Sequence, residues 1–445
     1  MKRLLRGGHL VDPLQGIDGI RDVLIEDGRV AAVGVDLPVG TGTEVIVVPA
    51  GLIVCPGFVD MHVHLREPGQ EHKETIATGT AAAAAGGFTA VACMPNTSPV
   101  NDNASVTRSI LEKAALEGLV RVYPIGAVTK GSKGETLSEI AELRDAGCVA
   151  LSDDGKPVST ALMMRRALEY AGMYQMPVID HCEDCSLKGE GVAHEGYVAS
   201  MLGLRGIPGP AESIMVERDI VLAAMTGGHA HIAHLSTAGA LRAVEAGKAR
   251  GVTVTCEVAP HHFTLTDERL SAPIPYDTNL KMNPPLRERA DVDAILQGLR
   301  AGTIDVIATD HAPHQHDEKH VEFDRAPFGI IGLETAVSLT LDRLVHTSVI
   351  TLRRMVQLMS VNPCRILNVP GGTLRPEKPA DITVIAPSVS VTVDMSTSRS
   401  KSRNSPFDGW TLRGAVAATI VGGKTVYVNE AVAGAAVFGA AVARA

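Results

Sequence analysis

The sequence lacks long hydrophobic runs, blocks of basic residues and the features of a secretion signal. No apolar stretch in its 445 residues approaches the roughly 20 residues that a membrane-spanning helix needs, so we expect no membrane partner. The opening MKRLLRGGHLVD contains neither a long apolar region nor a small-residue cleavage site, which makes a cytoplasmic location the expectation. Lys and Arg total 41 against 50 Asp and Glu, without a basic block. This balance argues against a nucleic-acid partner and favours a small-molecule substrate.

A cysteine framework is also missing. The seven cysteines are scattered through a long chain, which is typical of reduced thiols in a reducing compartment. Cys182 and Cys185 form a single CxxC, whereas a zinc finger needs a second pair and thioredoxin-like sites lie in another sequence context. The pattern therefore does not favour a redox or structural-zinc role.

Both ends of the chain contain short apolar runs separated by Gly and Asp turns, which predict small antiparallel strands. Examples are DVLIEDGRVAAVG and EVIVVPAG near the start, and ADITVIAPS and GAVAATIVGGKTVYV near the end. We predict that residues 1–53 and 372–430 build one composite β domain beside a central domain of residues 54–371. The Ala/Gly-rich tail, residues 431–445, is expected either to fray or to pack as a short helix.

The central part repeats an apolar run, a polar cluster and a helix-like segment, which is typical of βα units. Eight such runs occur: GFVDMHVHL, FTAVACMPN, VRVYPIGAVTK, CVALSDDG, MPVIDHCED, HIAHLST, VTVTCEVAPHH and TIDVIATDHAPH. Near-continuous apolarity indicates burial on both faces, and eight repeats suit an α/β protein with a closed (β/α)8 barrel of TIM type. An open doubly wound sheet is the alternative. It is disfavoured because no GxGxxG follows the first strand, and because polar residues recur at the strand ends.

Those polar residues are of metal-ligand type. They are His62 and His64 after the first run, Asp153 and Asp154 after the fourth, His181 after the fifth, His234 after the sixth and Asp310 after the eighth. Residues i and i+2 of a strand share a face, so both imidazoles of HVH can point into the barrel mouth. Nitrogen and carboxylate oxygen without thiolate are typical of catalytic zinc. Four histidines and two carboxylates exceed the three ligands of one such ion, which favours two ions sharing a carboxylate from the fourth strand.

Five motifs resemble, in order, those of the amidohydrolases and, within them, the bacterial class I dihydroorotases. They are DMHVHLREPG, CMPNTSP, SDDG, KMNPPLR and ATDHAPHQHDEK. The resemblance runs along nearly the whole chain, and the first and last motifs together are highly specific. It implies a metal-bearing (β/α)8 barrel with a flanking β domain. The implied reaction is the reversible cyclisation of N-carbamoyl-L-aspartate to dihydroorotate, a step of pyrimidine biosynthesis.

Carried over by position, the resemblance implies one zinc on His62, His64 and Asp310, a second on His181 and His234, and Asp154 as the bridge. A hydroxide shared by the two zinc ions is the implied nucleophile, and Asp310 the implied general acid and base. The implied substrate contacts are His64, Leu65, Arg66, Asn96, Asn283, His314 and the Phe328–Gly329 backbone. Arg66 suits a substrate carboxylate because its guanidinium can make a bidentate contact. Its alternative is a surface ion pair with Glu67 or Glu71.

Several neighbouring residues keep alternative interpretations. Asp153 is expected to point away from Asp154, and Lys156 is a weak candidate for a carboxylated bridge. Histidines 229 and 231 are expected in core or surface roles, whereas 261 and 262 compete for a place beside a metal ligand. The polar stretch 315–328, which contains His316 and His320, is either a mobile lid or a solvated loop.

Two rival functions stay open at the level of sequence. A related cyclic amidase acting on hydantoins, dihydropyrimidines or allantoin is disfavoured because the fourth strand ends in SDDG without lysine. A catalytically silent homologue that supports aspartate transcarbamoylase is disfavoured because no predicted ligand is missing. A homodimer is expected, and an active enzyme could still associate with that transcarbamoylase.

Overall fold

The structure is a computed structural model in which residues 2–434 and residue 438 are described. Its strands are β1 (Lys2–Asp12), β2 (Ile17–Glu26), β3 (Arg29–Gly34), β4 (Glu44–Val47), β5 (Ile53–Pro56), β6 (Phe58–Val63), β7 (Phe88–Cys93), β8 (Arg121–Gly126), β9 (Ala150–Leu151), β10 (Val178–Asp180), β11 (Ala193–His194), β12 (Gly206–Ile207), β13 (Ala230–Ile232), β14 (Val254–Val258), β15 (Val306–Ile307), β16 (Ile382–Thr392), β17 (Thr411–Val421) and β18 (Lys424–Val428).

The α-helices lie mainly between the central strands. They are α1 (Ile76–Ala85), α2 (Ala104–Glu117), α3 (Ile140–Ala146), α4 (Ala161–Gly172), α5 (Cys185–Lys188), α6 (Tyr197–Leu202), α7 (Pro210–Thr226), α8 (Ala238–Ala249), α9 (Pro260–Thr264), α10 (Arg289–Ala301), α11 (His316–Lys319), α12 (Ala336–Thr340), α13 (Leu352–Val356), α14 (Asn362–Ile366) and α15 (Glu430–Ala433). Among the described residues, no helix combines the length and the apolar character that crossing a membrane requires.

Eight parallel strands form the predicted barrel, in the order β6, β7, β8, β9, β10, β13, β14 and β15. The ring closes where the Val63 position pairs with His311, and the amide of His64 donates to the carbonyl of His311 at 2.8 Å. Seven of these strands lie within one of the eight apolar runs, and β13 begins one residue before its run, so the predicted fold class is confirmed.

Local sequence explains how strands and helices alternate. All six residues of β6 and of β7 are buried, as a strand covered by helices outside and packed side chains inside requires. Helix α1 begins at a capping box made by Thr75 and Thr78, and α7 has Pro210 in its first turn, where proline removes no helical hydrogen bond. The helices that begin here return the chain between parallel strands, so every strand presents its carboxyl end at the same mouth.

The chain ends build a separate sheet, as predicted. Its order is β18, β17, β16, β5, β1, β2 and β3, with β4 pairing β1. Strand β5 pairs with both β1 and β16 and extends to Pro56, across the predicted boundary at residues 53 and 54. The domain limits 1–53, 54–371 and 372–430 stay predictions. Most of the predicted tail, residues 431–445, lies outside the described residues, apart from the end of α15, Gly434 and the buried Phe438.

The connection between β16 and β17, residues 393–410, leaves this sheet and reaches back over the barrel; we call it the strap. The Ser398 hydroxyl donates to Glu334, and the amide of Lys401 donates to Glu74 at 3.0 Å. Phe407 is buried in an apolar cluster with Phe323 and Ile330. The strap therefore joins the β sheet to the barrel mouth.

Candidate active site

A cavity of about 240 Å³ opens at the carboxyl ends of the barrel strands. Most of the predicted site residues line it: His64, Arg66, Asn96, Asp154, His181, His234, Asn283, Asp310, His314, Phe328 and Gly329, together with Gly155, Lys188 and Ala312. His62 is fully buried beneath the mouth. The side chain of Leu65 is buried beside Gly79, which leaves only the backbone of Leu65 for the predicted substrate contact. The strand ends thus bring together residues that lie more than 200 positions apart.

The first group of possible metal ligands is His62, His64 and Asp310, whose ligand atoms all lie within 4.8 Å of one another. The Nε2 atom of His64 is 3.1 Å from Oδ1 of Asp310, and Nε2 of His62 is 3.5 Å from the same oxygen. All three side chains are buried. Their ligand atoms are therefore close enough together to bind one metal ion near the end of β6.

The second group of possible metal ligands is His62, Asp154 and His234, which shares His62 with the first. Oδ1 of Asp154 lies 3.4 Å from Nε2 of His62, and 3.8 Å from both Nδ1 of His181 and Nε2 of His234. Oδ2 of Asp154 is 3.4 Å from Nε2 of His64. Asp154 is therefore the carboxylate that faces all four predicted histidine ligands.

Hydrogen bonds behind the ligands fix their tautomers. Nδ1 of His62 donates to Glu257 at 2.5 Å, and Nδ1 of His64 donates to the Asn96 side-chain oxygen at 2.9 Å. With Nδ1 of each ring bonded outward, Nε2 is the atom directed at the centre, which is the orientation that lets it bind a metal. Glu257 is a residue that the sequence analysis missed. Its signal was a single carboxylate inside the apolar run of the seventh strand.

The electrostatics of the centre follow from burial and close opposite charges. Burial acts to raise the pKa of Asp154, but the surrounding His62, His234 and His64 hold it well below its usual range. Burial likewise opposes charge on Asp310, and His62 and His64 lower its pKa. Both carboxyl groups are therefore ionised in the folded protein, as metal ligands must be.

The other end of the cavity is cationic. Arg66 is buried; its Nε donates to the carbonyl of Pro313 at 3.2 Å, and its Nη2 lies 3.4 Å from Nε2 of His314. Burial and the nearby charge of Arg66 lower the pKa of His314 to about 2, so its ring is neutral. Nε2 of His314 donates to the Phe328 carbonyl at 2.8 Å. Arg66 makes no contact with Glu67 or Glu71 that matches the surface ion pair considered above; Glu67 pairs with Lys113 instead.

Glu183 and Lys188, which lie beside the predicted residue Asn283, were not predicted from the sequence. The Asn283 amide donates to Nε2 of His181 at 3.0 Å and to Glu183 at 3.2 Å, and Lys188 pairs with Glu183 at 2.6 Å. The Lys188 ammonium also lies 5.1 Å from the ring centre of Phe328. Glu183 and Lys188 follow His181 in the chain, just beyond the end of β10. The alternation of side chains along a strand does not predict where side chains point once the strand has ended.

Backbone geometry at the mouth departs from strand regularity. Arg66, His234 and Asp310 have φ of 62°, 28° and 50°, in the region that non-glycine residues rarely occupy. Gly155, with φ of 85°, lies where an added Cβ would be 3.3 Å from the Asn96 amide. The turns at the strand ends, rather than strand alternation, therefore aim these side chains.

The alternative candidates lie elsewhere. Asp153 is buried and accepts from both the amide and the hydroxyl of Thr129, and exposed Lys156 donates to the Ser132 carbonyl. His262 donates to the Pro284 carbonyl. Neither Asp153 nor Lys156 replaces Asp154 as the residue facing the four histidines.

Two further histidine pairs have distinct surroundings. His229 and His231 both bond the Thr255 hydroxyl at 2.7 Å, and His231 continues to Glu257 at 3.3 Å. Glu257 therefore links His231 to His62, one of the possible metal ligands. The rings of His316 and His320 stack at 5.3 Å and line a separate cavity of about 740 Å³, which shares His314 with the cavity at the strand ends. The interpretation of residues 315–328 as either a lid or a solvated loop stays a prediction.

The ligand atoms themselves fit a divalent cation. Nε2 of His62 and Oδ1 of Asp154 are buried 3.4 Å apart, and neither has a hydrogen-bond partner among the described residues. Unpaired buried polar atoms cost free energy, and a bound cation removes that cost. The donor set of imidazole and carboxylate suits zinc or a similar metal.

Comparisons with known proteins agree with this geometry. Residues 51–240 match the family model described as Dihydro-orotase-like. The solved structure of the L-hydantoinase (dihydropyrimidinase) from Arthrobacter aurescens aligns with a TM-score of 0.86 at 22% identity, covering 99% of this chain and 97% of that one. A dihydropyrimidinase structure from Brevibacillus agri aligns with a TM-score of 0.85 at 24% identity, covering 97% and 96%. These structures share the fold.

Sequence relatives place the chain more narrowly. The dihydroorotase of Geobacter metallireducens is 56% identical over 427 residues, which is 96% of this chain and all of that protein. The dihydroorotase of Pelotomaculum thermopropionicum is 56% identical over 432 residues, 97% of this chain and all of that protein. With a barrel mouth that gathers the expected ligand residues and full-length relatives at this identity, the chain belongs to the dihydroorotase family.

Proposed function

We propose that the protein is a dihydroorotase that interconverts N-carbamoyl-L-aspartate and dihydroorotate in the cytoplasm, as a step of pyrimidine biosynthesis. One observation carries the proposal: a single cavity is lined both by a cluster of ligand-type imidazoles and carboxylates and by buried Arg66. Hydrolysis of a cyclic amide needs the first, and recognition of a ring carboxylate needs the second.

The cofactor that we propose is a pair of zinc ions. His62, His64 and Asp310 would hold one, His181 and His234 the other, with Asp154 shared between them. When bound, the ions supply Lewis acidity that polarises the amide carbonyl and makes a water acidic enough to serve as nucleophile near neutral pH. Glu257 and Asn96 keep the free Nε2 atoms of His62 and His64 directed at the centre.

Asp310 is the proposed proton carrier. Its carboxylate is ionised and lies at the centre beside His64, so it can accept a proton from the attacking water and pass it to the departing ring nitrogen. The same steps in reverse give cyclisation. Asp154 faces four imidazoles and is less free to take up a proton.

The substrate contacts that we propose line the same cavity. Arg66 offers its guanidinium to the ring carboxylate, with Asn96 and neutral His314 beside it. Asn283, the Phe328–Gly329 backbone and the His64–Leu65 segment complete the contacts with the ring. A homodimer, and association with aspartate transcarbamoylase, are further expectations for the assembled enzyme.

A substrate panel on zinc-loaded protein tests the function. We expect turnover of dihydroorotate and of carbamoyl aspartate, little turnover of uncharged dihydrouracil or hydantoin, and zinc bound to the purified chain. Arg66→Met should impair dihydroorotate turnover and leave bound zinc unchanged, since Arg66 lies outside both ligand groups. Preferential hydrolysis of dihydrouracil would favour the related cyclic amidase, and absence of all turnover by metal-loaded protein would favour the silent homologue.

A further inference from the structure

Asn404 comes from the strap and lies against the wall of the cavity. Its Oδ1 accepts from the amide of His314 at 3.1 Å, and its Nδ2 donates to the carbonyls of Ala312 at 3.0 Å and Gly329 at 3.1 Å. Its own carbonyl accepts from the amide of Ile331 at 2.9 Å. One buried side chain thus holds the two backbone segments that form this wall.

The groups that Asn404 holds are those next to the proposed substrate carboxylate. His314 faces Arg66, and its ring bonds the Phe328 carbonyl, so the two segments meet at the substrate end. Gly329 has φ of 121°, and a Cβ there would lie 2.6 Å from that of Ala312. The wall is therefore tight, and a small backbone shift changes the space left for a ligand.

The amide of an asparagine side chain suits these three partners. One acceptor and two donors are required, and the Asn404 amide uses all of them. An aspartate in the same volume keeps the acceptor but sets a negative charge against two carbonyl oxygens. Alanine leaves three buried backbone groups without partners.

The strap is itself anchored at both sides of Asn404. Ser402 donates from its hydroxyl to the Lys73 carbonyl at 2.7 Å, and Phe407 is buried in the cluster with Ile330. Neither anchor is a member of the groups of possible metal ligands. Asn404 is therefore held in place independently of the metal ligands.

We propose that Asn404 is a positioning residue for substrate binding, through which the strap of the β sheet sets the shape of the carboxylate end of the cavity. Asn404 does not touch the substrate; it acts through the backbone of His314 and Gly329. The inference rests on the proposed function only in taking this end as the place where the ring acid binds.

The test compares Asn404→Ala and Asn404→Asp with the matched control Ser402→Ala. The control removes one hydrogen bond of the same strap from an equally buried residue. For Asn404→Ala we expect KM for dihydroorotate to rise about tenfold. This factor corresponds to the net free energy of about one to two hydrogen bonds, which no longer hold the cavity wall in place. Orotate is a planar ring acid, and its dissociation constant, measured by calorimetry, should rise by the same factor. Bound zinc should match the wild type.

The isosteric Asn404→Asp variant should raise both constants further, because its charge repels the two carbonyls and an anionic ligand. A merely structural role would lower the active fraction, and hence kcat, without changing the affinity for orotate. Values of KM and orotate affinity indistinguishable from Ser402→Ala would overturn the inference. A wild-type protein that binds orotate but does not turn over dihydroorotate would contradict the proposed function instead, and leave the binding comparison intact.

Discussion

Two buried clusters of ligand-type side chains lie side by side near the end of β10, and they differ in what neutralises them. The mouth cluster consists of His62, His64, Asp154, His181, His234 and Asp310. The second, which we call the Arg218 cluster, consists of Asp180, Cys182, Asp219 and Arg218. Three of its members, Asp180, Cys182 and Asp219, have ligand atoms as close together as those of the mouth cluster.

The Arg218 cluster contains its own cation. Nη2 of Arg218 lies 2.6 Å from Asp219 and 3.2 Å from Asp180, and the Cys182 thiol donates to Asp219 at 3.4 Å. Burial and the neighbouring Asp219 raise the pKa of Asp180 well above its usual range. Protonation and the guanidinium together therefore neutralise this cluster, and it needs no metal.

In the mouth cluster, by contrast, the described ion pairs of Asp154 are all with imidazoles, and buried ligand atoms lack hydrogen-bond partners. Residue type and proximity are alike in the two clusters. The clusters differ in that Arg218 and a proton neutralise one of them, whereas ligand atoms in the other have no partner. A buried set of ligand-type residues therefore indicates a metal site only where the protein does not itself supply the compensating charge and hydrogen bonds.

Asp310→Asn should give the largest effect. An amide oxygen can still coordinate a metal, but the amide cannot carry a proton between water and the leaving nitrogen. We expect kcat for dihydroorotate hydrolysis to fall by about a thousandfold or more, as loss of general acid–base catalysis commonly costs 10²–10⁴. Stopped assays of product and metal analysis by mass spectrometry measure the two quantities separately.

The same exchange in the Arg218 cluster is the control. Asp219→Asn removes a carboxylate that is also buried but is bonded to Arg218, so catalysis per folded molecule should stay near that of the wild type. Near-normal turnover by Asp310→Asn would contradict the role of Asp310 as proton carrier. A comparable loss in both variants would show that the two clusters act as one site.

Arg218→Met tests the neutralising cation directly. Removing it leaves two carboxyl groups facing each other in the interior, and breaking a buried pair in this way costs about 3–5 kcal/mol of unfolding free energy. Urea unfolding of zinc-loaded protein measures the change. Arg165→Met is the matched control, since exposed Arg165 pairs with Glu169 on α4 and such pairs contribute only about 0–1 kcal/mol. Equal stability of both variants would mean that Arg218 does not stabilise its cluster.

The fold was predictable because its signal is repeated. Eight apolar runs, each followed by polar residues, correspond to the eight barrel strands, and the alternating runs at the two chain ends correspond to the separate sheet. The family and its cyclic amidase activity followed from the motifs and are confirmed by full-length relatives. Strand lengths were less predictable: β9 and β15 comprise two residues each, because the hydrogen-bonded part of each run is short.

The candidate site was predictable where residues stand at strand ends. His62 and Asp154 are examples, and both lie in the cluster. Glu257, Lys188 and Asn404 were not predicted, each for a different reason. A lone carboxylate within an apolar strand does not reveal its partner, a residue beyond a strand end has no fixed direction, and the strap reaches the mouth from about 75 residues further along the chain. Only tertiary structure supplies these contacts.

Glu257→Gln should give a smaller, graded effect within the mouth cluster itself. Glutamine can still accept from Nδ1 of His62, so the tautomer is kept, but the negative charge that makes the ring a better ligand is lost. Zinc affinity should fall about 10–100-fold, because substitutions of residues that hydrogen-bond a metal-bound histidine commonly have effects of this size. Competition with a chelator measures the affinity. Glu212→Gln is the control, since Glu212 is another buried glutamate, bonded to Ser236 and paired with Arg287. It should lower stability and leave zinc affinity unchanged. Equal affinity in both variants would mean that Glu257 supports the barrel interior and not the metal ligand, and the distinction between the two clusters would then rest on Asp154 and its imidazoles alone.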